Sequence, residues 1–110
     1  MSQRPEPPDT FGEFTRRFPK LAEAWRLVGE ASRAGPLDEK AARLVKLAVS
    51  VGALREGGVH SAVRQAVAAG ATPAEIDQVL ALATSTIGFP AAVAAFSWVR
   101  DCLGRAEPAS

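Results

Sequence analysis

His60 is the one histidine in the chain, and imidazole is the side chain that titrates near neutrality, so it is the first candidate for moving a proton. It follows Gly57-Gly58 at a helix start. If helical geometry carries through those glycines, Glu56 lies one turn before it and Arg64 one turn after. A carboxylate, an imidazole and a guanidinium then share a stripe: Glu56 sets the imidazole tautomer and Arg64 holds an anion. The competing reading is a half-exposed histidine whose ring covers a neighbouring helix. Arg43 and Lys46 interrupt an otherwise apolar helix and read either as anion anchors facing a pocket or as a solvated edge. Cys102, between Val99 and Leu103, reads as a small buried hydrophobe. Trp25 and Trp98 sit within helical apolar patterns and read as core or subunit-interface positions.

Composition removes several other chemistries. One cysteine makes no internal disulfide, Cys-x-x-Cys pair or thiolate zinc site, and one histidine makes no multi-histidine metal site, so those chemistries are not expected within one chain. Thirteen Lys and Arg against twelve Asp and Glu leave a net charge of +1, too little basic excess for a nucleic-acid partner. No secretory signal and no membrane span are expected, which makes the cytoplasm the default. With 110 residues, no tyrosine and much alanine, each helix has little area to bury, and homo-oligomerisation is expected to supply the rest.

The elements that must position these residues read as helices throughout, because apolar spacings of three and four recur and period-two alternation is missing. Residues 1–10, with Pro5, Pro7 and Pro8, read as a mobile tail, residues 11–104 as a single helical domain, and residues 105–110 as a C-terminal tail. Phe11, Phe14 and Phe18 form an apolar lead-in to a helix that starts at Pro19, carries Leu21, Ala24, Trp25 and Val28, and stops at Gly35-Pro36. The next helix begins at Leu37 or Asp38 and turns apolar on nearly every side from Leu44, which predicts a central helix buried on several faces. Gly57-Gly58 marks a break before a helix buried through Val59, either Ala62 or Val63, and Ala66, with Val67 as a further candidate. Thr72-Pro73-Ala74-Glu75 is a capping box with proline in the first helical position, opening a helix buried through Ile76, Val79, Leu80, Ala83 and Ile87. Gly88-Phe89-Pro90 closes it and opens the last helix, with Ala92, Ala95, Phe96, Val99 and Leu103 in period.

Leu37-Asp38-Glu39-Lys40, then Gly58-Val59-His60-Ser61-Ala62, then Ala69-Gly70-Ala71-Thr72-Pro73-Ala74-Glu75-Ile76, and finally Gly88-Phe89-Pro90-Ala91-Ala92 resemble, in that order, the carboxymuconolactone decarboxylase and alkylhydroperoxidase D-like superfamily over residues 37–103. The resemblance implies an all-α bundle of five or six helices that forms trimers, or hexamers of trimers, with small-molecule sites near helix and subunit junctions. The peroxidase branch carries Cys-x-x-Cys-x-x-x-His; counted back from His60, those positions hold Ala53 and Glu56, and Arg43 occupies or adjoins the place of an upstream glutamate. A self-contained dithiol peroxidase is therefore not expected. The decarboxylase branch works without the thiols and keeps the histidine. It implies loss of carbon dioxide from a small carboxylated lactone or carbonyl substrate, with His60 as proton donor or base and with no metal or organic cofactor expected. His60 transfers by position, whereas the roles of Glu56, Arg64 and Arg43 come from spacing alone. Two alternatives stand beside this: an antioxidant relative whose thiol function rests on Cys102 or a partner, and a non-catalytic binding scaffold.

Overall fold

The computed structural model describes residues 9–106, and every regular element among them is a helix. These are α1 (Thr10–Arg17), α2 (Pro19–Arg33), α3 (Glu39–Gly52), α4 (Glu56–Ala68), α5 (Pro73–Ile87) and α6 (Phe89–Ala106). The all-α class and the helix number agree with the sequence reading. The expected tails lie outside the described residues, apart from Asp9 and Thr10 at one end and the backbone of residues 105–106 at the other. Contacts divide the chain into Met1–Pro36 and Leu37–Ser110.

In the first unit, the phenylalanine lead-in is itself helical. The Asp9 carboxylate accepts a hydrogen bond from the Gly12 amide at 2.9 Å, and Arg16 and Arg17 occupy the last turn of α1, where they favour the negative end of the dipole. Phe18 ends α1 by donating its amide to the Phe14 carbonyl, and the two rings lie 5.0 Å apart. Pro19 then opens α2 as its type and place predict. On α2 the Arg26 guanidinium donates to both Glu23 and Glu30, and the hydrogen bond holds the Glu23 carboxyl below its usual range. Neither helix has a buried residue.

The second unit is a four-helix arrangement in which α3 packs on α4 and α5, and α6 packs on the same two from the other side. Its core is aliphatic: Leu47 and Val51 from α3, Val59, Val63 and Ala66 from α4, Ile76 and Leu80 from α5, and Ala95, Val99 and Leu103 from α6. The capping box forms in full: Thr72 Oγ1 accepts from the Glu75 amide at 3.1 Å and Glu75 Oε1 from the Thr72 amide at 2.9 Å. Residues 78–99 carry no charge. Gly88 and Pro90 divide that stretch between α5 and α6, and no helix among the described residues is long and apolar enough to cross a membrane.

Two local expectations are corrected. α4 starts at Glu56, so Gly57 and Gly58 lie in its first turn, where the amides have no intrahelical partner in any case. The break falls one step earlier, at Leu54, which takes a left-handed conformation with φ 53°. Gly58 lies close to α3: a Cβ there would meet Ser50 Oγ at 3.3 Å, a tight approach that the serine side chain would have to relieve. Nor is α3 buried on several faces. Leu47 and Val51 are fully covered, whereas Val45 and Val49 are 50% and 67% exposed, because α4 and α5 cover adjoining parts of the helix surface and leave the rest open.

Candidate functional site

Val59 and Val63 anchor α4 in the core, and that register leaves His60, between them in sequence, at the edge of the packed face. The residue is partly buried. Its Nε2 atom is fully covered and has no hydrogen-bond partner. A buried nitrogen without a partner costs about 1–3 kcal/mol, which the rest of the fold must offset. The His60 carbonyl faces α6, where the Cys102 thiol approaches it at 3.8 Å. The only cysteine and the only histidine of the sequence are thus brought to one place, although 42 residues separate them.

Helical spacing puts Glu56 and Arg64 one turn to either side of His60, as expected. Both are exposed, and neither takes part in an ion pair among the described residues. Arg43 is mostly covered, its side chain 25% exposed, and its Nε donates to Glu39 Oε1 at 3.1 Å along the same helix. Lys46 is exposed. Trp98 packs against the core from α6, while Trp25 is 62% exposed on α2. Cys102 is partly buried at the core edge, in keeping with a small hydrophobe. Among the described residues no three His, Cys, Asp or Glu side chains gather closely enough to hold a metal ion.

An open concavity of this unit lies elsewhere, between α3 and α5. It is a groove of about 570 Å³ walled by Leu44, Val45 and Ala48 on one side and Val79, Leu82 and Thr86 on the other. None of the four candidate residues lines it. Sequence reasoning missed it; its signal is the surplus of apolar residues on α3, which reads equally well as burial on several faces. Glu75 stands at its edge, where Lys40 Nζ donates to Glu75 Oε2 at 2.9 Å and ties α3 to α5. That hydrogen bond, followed by the one from the Thr72 amide, holds the Glu75 carboxyl below its usual range, and Glu75 in turn raises the Lys40 ammonium.

The sequence profile of the carboxymuconolactone decarboxylase family matches residues 19–101, from α2 into α6. The chain belongs to the carboxymuconolactone decarboxylase family. The crystal structure of the apo form of a carboxymuconolactone decarboxylase family protein from Legionella pneumophila is similar in fold, with a TM-score of 0.79 over 88% of each chain at 21% identity. No curated protein matches. The family reading made from His60, Thr72-Pro73 and Gly88-Phe89-Pro90 is thereby established.

Proposed function

We propose that this family member is a cofactor-free, decarboxylase-like enzyme in which His60 moves the proton. The observation that carries the reading is the unpartnered His60 Nε2. It is a hydrogen-bonding atom with nothing inside the chain to satisfy it, on the one side chain suited to proton transfer at neutral pH. Loss of carbon dioxide from a small carboxylated lactone or carbonyl compound leaves an electron pair on carbon, which must be stabilised and then protonated. His60 supplies that proton. Arg64, one turn later, holds the carboxylate, with Arg43 as a second cation, and Glu56, one turn earlier, orients the ring. In the single chain Nε2 is covered while Glu56 and Arg64 face outward, so the reading requires the ring to turn toward substrate. Self-association into a trimer or hexamer belongs to the same proposal, supported by a small aliphatic core beside many exposed apolar residues.

The test is carbon dioxide release from a panel of carboxylated lactones and keto acids. His60→Ala is expected to lower turnover by about 100-fold or more while Cys102→Ala leaves it intact. The reverse pattern would overturn the reading; the antioxidant alternative, supported by the placement of the Cys102 thiol beside the turn of His60, predicts instead peroxide-dependent loss of that thiol. The groove between α3 and α5 favours a second reading, a binding scaffold without chemistry; it predicts ligand binding indifferent to His60→Ala.

A further inference from the structure

α6 buries Ala92, Ala95, Val99 and Leu103 on one side and carries an uncovered apolar stripe on another. Phe89, Val93 and Phe96, four and three residues apart, are 72%, 51% and 41% exposed. Arg100 continues the stripe, its guanidinium 5.7 Å from the centre of the Phe96 ring, with no carboxylate partner among the described residues. Spacing of i, i+4 and i+7 is the arrangement by which a helix seats its anchors in a groove, and aromatic side chains are the strongest such anchors.

The second unit also holds the converse surface. The groove between α3 and α5 is mostly apolar, includes the small residues Ala48 and Gly52, and has Glu75 in its lining. No residue of α6 lines it. Stripe and groove belong to one packed unit whose core fixes α3, α5 and α6, so a copy cannot place its own stripe in its own groove. We propose that the Phe89, Val93 and Phe96 stripe of one copy docks in the α3/α5 groove of the next copy. In that arrangement the phenylalanine rings have room over the small residues Ala48 and Gly52. Arg100 meets Glu75, whose carboxylate keeps acceptor capacity beyond the bonds to Lys40 and Thr72. Because the two patches differ, the contact runs head to tail, and each copy contributes one stripe and one groove to a closed assembly. This rests on the self-association proposed above and gives it a surface.

The test is sedimentation of the full chain at micromolar concentration, with helical circular dichroism to confirm folding. Val93→Asp spoils the stripe and Ala48→Trp fills the groove; Leu82→Asp is a second groove variant at a side chain 68% exposed. Each is expected to raise the dissociation constant at least about tenfold. An equimolar mixture of Val93→Asp and Ala48→Trp should recover dimers, since one intact stripe then faces one intact groove. Assembly that survives all three variants overturns the proposed surface and leaves self-association standing. Assembly abolished by Trp25→Ala but not by these variants overturns it in favour of α2. A wild-type monomer overturns both.

Discussion

α2 and α5 are both 15 residues long and both begin with proline, yet Ile76 on α5 is fully covered while Trp25 on α2 is 62% exposed. α5 starts in a complete capping box, whereas Phe18 caps α2 without a side-chain hydrogen bond. In α5 the local start signal and the buried stripe act together, and a core of ten or so aliphatic side chains holds it in place. In α2 the apolar face formed by Leu21, Trp25 and Val28 is present and exposed. The lesson is that an apolar period at helical spacing specifies a face, not what covers it. Stability in this chain is therefore expected to sit in α3 to α6, with α1 and α2 as the part most dependent on other surfaces.

Substitutions can break that contrast. Ile76→Ala should cost about 2–5 kcal/mol in urea unfolding, because it empties a fully packed site. Trp25→Ala, measured at a concentration where the chain is monomeric, should cost about 0.5 kcal/mol or less. Equal losses would show that α2 is as well packed as α5. Next in size is Gly88→Ala. Gly88 has φ 91° and ψ 158°, a conformation open to glycine alone, so the change should cost about 1–3 kcal/mol by thermal melting. Gly35, with open space where a Cβ would go and no positive φ, should accept alanine without loss. Thr72→Ala removes one half of the capping box and should cost about 1 kcal/mol, leaving the helical content of α2 unchanged by amide exchange.

The smallest effect is one of pH. The Glu75 carboxyl is lowered by its hydrogen bonds, so its contribution to stability is present above the ordinary carboxylate value and is lost as pH falls through the lowered one. Lys40 is raised by Glu75, so its contribution is fully present below the ordinary lysine value and is lost as pH rises through the raised one. Both side chains are more than a third exposed, which keeps the effect modest. Lys40→Met should flatten the acid limb of the stability profile below the ordinary carboxylate value, read by chemical denaturation at each pH. An unchanged acid limb would show that the pair does not join α3 to α5 in solution.

Much of the fold was legible because its signals are local. Thr72 to Glu75, Pro19 and Gly88-Phe89-Pro90 each carry their meaning within four residues, and all three mark helix boundaries where expected. The start of α1 was hidden because a proline-rich segment precedes it and the Asp9 cap was read as part of that segment. The break at Leu54 was assigned to the neighbouring glycines because leucine in a left-handed turn has no sequence signature. The site was less legible. His60 stood out by type, but its approach to Cys102 spans 42 residues and the bond from Lys40 to Glu75 spans 35. The α3/α5 groove needs two helices at a known separation before it exists at all. Such relations arise from packing, and no spacing rule along one helix contains them.

The central claim is that His60 Nε2 is left without an internal partner in order to meet substrate. Because the chain has a single histidine, nitrogen-15 NMR of the imidazole reads that atom without ambiguity. Adding the compound turned over fastest in the carboxylated-lactone and keto-acid panel should move the Nε2 resonance to a hydrogen-bonded or protonated position, in saturable proportion to ligand. A resonance that stays where it is at saturating ligand, while binding is registered elsewhere on the chain, would contradict the account.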